Sequence, residues 1–214
     1  MRDSLRLRRA RIASGMVAIF LALAAPASSE SSGPQPGSTG VPAGAGFEAE
    51  PTCISCHSGF PLNSDGRDRL LLSGVPVRYV PGERYGLVLE LRHPDAERRR
   101  WGFQLTAVSS TKLTGAGSFM VTDAANTQRI AGTFGNRQYM SHSYYGTGVG
   151  DAGGHRWSFD WIAPAREVGR VAFYAVGSAA DSDGSKEGDR IYGPAPNPLA
   201  ISDPGSSAAK ESRR

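Results

Sequence analysis

The chain is poor in the residues that most often carry chemistry. Its 214 residues include only two cysteines, four histidines and four methionines. Two cysteines exclude a disulfide-rich scaffold. There is no Gly-x-Ser-x-Gly elbow, no His-Glu-x-x-His and no phosphate-binding loop, so the usual hydrolase, zinc-protease and nucleotide sites have no basis here. Net charge is also missing where it would matter. The formal +4 is carried by Arg2, Arg6, Arg8, Arg9 and Arg11 against Asp3, and residues 28–214 hold 19 basic and 19 acidic side chains. A nucleic-acid partner read from the high isoelectric point would rest on a segment that looks removable. Long apolar runs are absent too. Residues 16–25 form an apolar run of ten, whereas a membrane-spanning helix takes about 20.

What is present begins with the order of a secretory signal peptide. A basic start is followed by that apolar run and then by Ala25-Pro26-Ala27, small residues at cleavage spacing. Arg8-Arg9 resembles a twin-arginine signal but lacks the residues that usually follow, so the general secretory route is expected. Residues 1–27 are read as the signal peptide and the protein as exported, periplasmic or extracellular, with no transmembrane segment after cleavage. Residues 28–49 are rich in Ser, Gly and Pro and read as a flexible linker. Residues 50–67 hold the cysteine motif.

From residue 68 the pattern turns to β. Tyr85, Leu87, Leu89 and Leu91 alternate with Gly86, Val88 and Glu90; Trp101, Phe103, Leu105 and Ala107 do the same, as do Trp157, Phe159 and Trp161. The run from Val171 to Val176 reads as a buried strand. With 27 glycines and 14 prolines the chain turns often, and no segment has a long amphipathic helical pattern. The expected fold is all-β, an immunoglobulin-like antiparallel sandwich over residues 68–193, followed by a disordered tail over 194–214. His93, before Pro94, and His155, after Gly153-Gly154, read as exposed loop residues. Arg98, Arg99 and Arg100 read as a solvated turn.

The two cysteines sit in Cys53-x-x-Cys56-His57, the attachment pattern for haem c. Each thiol adds across one porphyrin vinyl group, and the adjacent imidazole reaches the iron from the proximal side. Attachment happens outside the cytoplasm, which agrees with export. A Cys53–Cys56 disulfide or redox pair competes. A zinc site needs four ligands, and this motif supplies three at most. For the distal side of a haem, His142 is the first candidate, with Met120, Met140 or an open position behind it. Asp181, Asp183, Glu187 and Asp189 cluster in one stretch; calcium is conceivable there, but the spacing is not that of an EF-hand and a solvated acidic turn is expected.

Several stretches together resemble bacterial exported proteins with a reelin-like (reeler) β-sandwich, the choice-of-anchor V type. They are Cys53 to Gly59, Leu72-Ser73-Gly74-Val75-Pro76, Tyr79-x-Pro81-Gly82-x-x-Tyr85 and Trp101-Gly102-Phe103-Gln104-Leu105, then Asn126-Thr127-Gln128 and the His142 region with Gly146-Thr147. Trp157-x-Phe159-x-Trp161-x-Ala163-Pro164, Val171-x-Phe173-Tyr174 and the stretch from Asp181 to Tyr192 complete the set. The resemblance covers about residues 47–193. It implies a sandwich preceded by a haem-type motif, and it supplies no substrate. Members often carry a C-terminal surface anchor; the polar stretch after Tyr192 contains none, which favours a periplasmic or secreted protein.

The expected function is that of a monohaem c-type protein, held through Cys53, Cys56 and His57, transferring electrons or sensing redox state or a small gas. Phe60, Leu62 and one sandwich edge are expected to bury the porphyrin. The expected partner is a redox protein or a small electron donor or acceptor, and a homo-oligomer is compatible. No residue pattern for substrate chemistry argues for an enzyme. The alternative is an extracellular adhesion or recognition sandwich with a Cys53–Cys56 disulfide and no haem. If the signal reading is right, N-terminal sequencing of the exported protein returns Ser28 as its first residue; a product starting at Met1 removes it.

Overall fold

A computed structural model describes residues 31–132, 134–194 and 197–205. The stretch expected to be a signal peptide, 1–27, and the last nine residues lie outside the described residues. Among the described residues, eleven strands follow a single 3-10 turn, Cys53–Ser55. They are β1 (Leu70–Ser73), β2 (Arg78–Tyr79), β3 (Arg84–Arg92), β4 (Arg100–Ser109), β5 (Ser118–Met120) and β6 (Thr127–Ala131). After these come β7 (Gln138–His142), β8 (Gly154–Ile162), β9 (Val171–Ala180), β10 (Arg190–Tyr192) and β11 (Ala200–Pro204).

They make two facing sheets, β1-β3-β8-β5 and β2-β11-β9-β4-β7-β6, with β10 also on β9. Pairing is antiparallel except between β11 and β2. This is the immunoglobulin-like antiparallel sandwich expected from the alternation. On β3, Leu87, Leu89 and Leu91 are buried; on β8, Trp157, Phe159 and Trp161 are; on β4, Trp101, Phe103, Leu105 and Ala107 are. They interlock across the interior, with the Phe103 and Trp157 rings 4.6 Å apart and those of Trp161 and Phe173 5.0 Å apart. Each indole N–H still donates to a carbonyl: Trp157 to Gly146 at 2.7 Å, Trp161 to Ala116 at 3.0 Å and Trp101 to Asp151 at 3.1 Å. Burying so much aromatic surface therefore leaves no indole donor unpaired.

Strands β4 and β9 are buried on both faces, and that departs from a two-layer expectation. The outer face is covered by residues 31–51, read from composition as a flexible linker. Instead, Val41 and Phe47 pack with Val108, Leu113, Ala172 and Tyr174 as a second small core. Ser38 N–H donates to Gln104 Oε1 at 2.7 Å, and Gln104 Nε2 donates to the Gln35 carbonyl at 3.0 Å. The disordered tail is likewise corrected in part. Residues 200–204 form β11 because Ala200, Ile201 and Ser202 pair with β9 at Phe173, Ala172 and Val171.

Phe103→Ala, at the centre of the aromatic core, is expected to cost about 3–5 kcal/mol in urea unfolding. Ile201→Ala, on a half-exposed edge, should stay within about 0.5 kcal/mol of the parent.

Candidate functional site

The cysteine motif starts as a tight turn. The N–H groups of Cys56 and His57 both donate to the Cys53 carbonyl, at 3.1 and 2.8 Å. Both thiols are free. Cys53 is half-buried and Cys56 exposed. Desolvation, with the neighbouring Cys56 sulfur, pushes the Cys53 thiol up to about 12.

The turn is stitched to the acidic loop before β10. Ser58 N–H donates to the Lys186 carbonyl at 2.9 Å, and Gly188 N–H returns to the Ser58 carbonyl at 3.0 Å. Gly59 runs at φ +105°, and a Cβ there would stand 2.9 Å from the Gly188 nitrogen. Only glycine allows the two segments so close in that conformation. This approach brings His57 Nδ1 to 2.5 Å from Asp189 Oδ2. Asp189 is 2% exposed, and its other oxygen has no hydrogen-bond partner among the described residues. The carboxylate fixes the ring and leaves Nε2 as the nitrogen available to a ligand.

His142 ends β7 and is buried, its ring tilted against Phe103. Its Nδ1 lies 2.9 Å from the Phe103 nitrogen and 3.1 Å from the Phe103 oxygen. The ring lies over Gly102, where a Cβ would stand 2.9 Å from Cε1, so the glycine in Trp-Gly-Phe makes room for it.

His57 and His142 line the same small cleft, about 60 Å³, together with Ser31, Arg100, Thr147 and Ser178. Three polar atoms on these lining residues, Arg100 Nε, Thr147 Oγ1 and Ser178 Oγ, are buried with no hydrogen-bond partner among the described residues. Sequence reasoning chose both histidines but missed Gly102, Arg100, Thr147 and Ser178, and it placed Asp189 in a solvated turn. The one available signal for Asp189 was its place in a short acidic run already near the motif's resemblance.

Other expectations need correction. His93 is 5% exposed, bonded through Nε2 to Asp65 at 3.0 Å and set against Tyr192. Its burial lowers its pKa even though Asp65 pulls the other way. His155 is half-buried, 2.7 Å from Asp151 and edge-on to Trp157. Arg98 is buried and donates to the Gly188 carbonyl at 2.6 Å, so the basic run supports the acidic loop from beneath. Met140 is core and Met120 sits on the short edge strand β5; neither lines the cleft. Phe60 lies under the guanidinium of Arg190 on β10, 3.4 Å from it. The acidic residues act separately. Asp183 accepts from Ser185 N–H at 2.7 Å and Asp181 sits 3.8 Å from Arg98. Among the described residues no group of three or more His, Cys, Asp or Glu side chains is gathered as a metal site.

The fold and site together define an antiparallel β-sandwich with a Cys-x-x-Cys-His turn laid against one sheet end. No family model and no curated protein sequence matches the chain. Solved structures with a similar fold include the human F-spondin reeler domain, at 21% identity and TM-score 0.46, covering 69% of this chain and 92% of that one. An immunoglobulin-like protein from Nocardia farcinica matches at 13% identity and TM-score 0.38, over 64% of this chain and 98% of that one. The sixth cohesin of Acetivibrio cellulolyticus scaffoldin B, solved in complex with a dockerin, matches at 12% identity and TM-score 0.35, over 57% and 96%. No helix among the described residues is long and apolar enough to cross a membrane.

The raised pKa of Cys53 sets a reactivity order. Only the thiolate alkylates, so at pH 8 iodoacetamide should modify Cys56 first on the unliganded protein. Cys53 should lag until the pH approaches 12, as mapped by peptide mass spectrometry. Equal rates at pH 8 would refute the desolvation of Cys53.

Proposed function

We propose that this chain carries one covalent haem c on Cys53 and Cys56, with His57 as proximal ligand, and serves in electron transfer or in redox or gas sensing. The observation that carries this reading is the meeting of an Asp189-braced His57 and His142 at one cleft, from distant parts of the chain.

The donor set fits the group. Two reduced thiols lie on one turn, and the adjacent imidazole has one nitrogen occupied and one left. The cleft, at about 60 Å³, cannot itself enclose a porphyrin, so the expected burial of the macrocycle in a sandwich edge is not part of the proposal. Bound haem supplies a one-electron iron couple. The chain's own residues do the rest. Asp189 holds Nδ1 and fixes the ring, and the charge it places behind His57 makes the imidazole a stronger donor. His142, on the same cleft, would be the second residue available to hold the group. Arg100, Thr147 and Ser178 offer donors suited to carboxylates such as the propionates.

A second reading, an adhesion or recognition module with a Cys53–Cys56 disulfide, is favoured by a different feature. Tyr144, Tyr145 and Val149 stand exposed on the loop between β7 and β8, Tyr145 at 81%. Exposed tyrosines of this kind suit protein contacts.

Expression in a host with the haem c attachment machinery, then acid-acetone extraction and a pyridine haemochrome spectrum, separates the two. The haem reading expects a c-type band retained by the polypeptide and lost in Cys53→Ser/Cys56→Ser. Asp189→Asn should then raise the reduction potential, and His142→Ala should change the low-spin spectrum if His142 ligates. A folded, colourless protein without free thiols would instead establish the disulfide-bearing module.

A further inference from the structure

The chain reaches the cysteine turn through a segment that grips the sandwich at few points. Residues 31–51 add no strand to either sheet, and their one β-bridge, Gly44 with Phe47, is internal. Of these residues only Thr39 and Val41 are buried. Val41 packs with Val108, Ala172 and Tyr174, and Phe47 is partly buried beside them. The side chains of Gln104 and Gln128 hold backbone groups of Ser32, Pro34, Gln35 and Ser38. The remaining hold is an ion pair. Glu50 and Arg137, with side chains 8% and 2% exposed, are in contact, and Glu50 also accepts from the Thr39 and Tyr139 hydroxyls.

A unit held by one small apolar contact and one ion pair opens at less cost than strands that share ladders. Opening bares the apolar outer face of β4 and β9, so the docked state is the resting one and the open state is rare. When the segment lifts, Glu50 leaves with it and water takes its place beside Arg137. Neither charge is then buried alone.

The segment ends on the cysteine turn. Glu50 N–H donates to the Val41 carbonyl at 2.8 Å and Gly40 N–H to the Pro51 carbonyl at 3.1 Å. A Cβ on Gly40 would stand 3.0 Å from Thr52 Cγ2. These contacts seat Thr52 against Gly40, next to Cys53. The far end of the turn is tied separately, through Ser58 to Lys186 and Gly188. The two thiols differ in the same sense: Cys53, nearer the segment, is half-buried, and Cys56, nearer the acidic loop, is exposed.

On the reading that Cys53 is the thiol that reacts, we propose that residues 31–51 are a strap, latched by the Glu50–Arg137 pair, whose rare lifting controls access to Cys53. Docked, the strap withdraws the thiol; lifted, it presents it to whatever chemistry follows.

The test uses the reduced, haem-free full chain, so loss of the haem reading would change none of its rates. Native-state hydrogen exchange follows the strap at the Gly40, Phe47 and Glu50 amides and the sandwich at the amides of β3 and β8. Iodoacetamide at pH 8 follows Cys53, with Cys56 as reference. The strap amides should exchange faster than those of β8, and Cys53 should alkylate with the opening constant of the strap. Glu50→Gln strands the Arg137 charge under the docked strap. It should raise strap exchange and Cys53 alkylation by one common factor, roughly a hundredfold unless the unprotected rate is reached first, with Cys56 unchanged. Val41→Ala, which loosens the strap without touching a charge, should raise both together by a smaller factor. Leu87→Ala, in the opposite sheet, weakens the sandwich and should leave both where they are. Exchange of strap and β8 amides at one common rate, or faster Cys53 alkylation in Leu87→Ala, overturns the strap as a separate unit. A strap that loosens in either strap variant while the Cys53 rate holds overturns its control of the thiol. Unchanged strap exchange in Glu50→Gln overturns the latch.

Discussion

A sheet that is apolar on both faces cannot stand with one of them in water. Strands β4 and β9 are such a sheet centre: Phe103 and Phe173 face the interior, while Val108, Ala172 and Tyr174 face outward and are buried as well. The outer cover is the N-terminal segment, and much else follows from where it lies. Val41 and Phe47 supply the apolar contact, and Gln104 holds the segment's backbone through Ser38 and Gln35. The Gly40 N–H donates to the Pro51 carbonyl at 3.1 Å, and Glu50 N–H to Val41 at 2.8 Å, so the segment doubles back on itself. That reversal delivers the cysteine turn to the end of the sandwich where the acidic loop waits.

The cover is pinned by charge as well as by burial. Glu50 and Arg137 are both buried side chains in contact, and Tyr139 and Thr39 complete the carboxylate's partners. Burial and the adjacent carboxylate hold the Tyr139 hydroxyl firmly protonated, its pKa raised well above the usual phenol. Such a pair contributes little over an apolar alternative, but removing one member strands the other, at a cost of about 3–5 kcal/mol. A similar arrangement ties down the segment before β1. Asp65 takes Tyr192 and His93 together; burial alone would raise its pKa, but the Tyr192 hydroxyl and the nearby cations carry it below the ordinary value. The loop from Asn63 to Asp65 is thereby tied to β10, next to Asp189.

Some of this was readable in the residues. The period-two alternation in β3, β4 and β8 named the buried face correctly, because a pleated strand must send alternate side chains to opposite sides. The Cys-x-x-Cys-His pattern was visible because its members are sequence neighbours, and they do share one turn. The ordered N-terminal cover was not: a Ser, Gly and Pro rich stretch has few apolar side chains, and its attachment runs through backbone groups to Gln104, some seventy residues away. His93 was misread for the same reason, since a His-Pro pair signals a turn but says nothing of Asp65 and Tyr192 folding over it.

By itself, then, the sequence determined the strand faces and the sandwich class, both of which depend on neighbours a few residues apart. Only the tertiary structure decided that His57 meets Asp189, 132 residues on, and that His142 shares its cleft. Those are pairings between distant segments, set by how two sheets and their cover pack, and local patterns carry no record of which distant group will arrive.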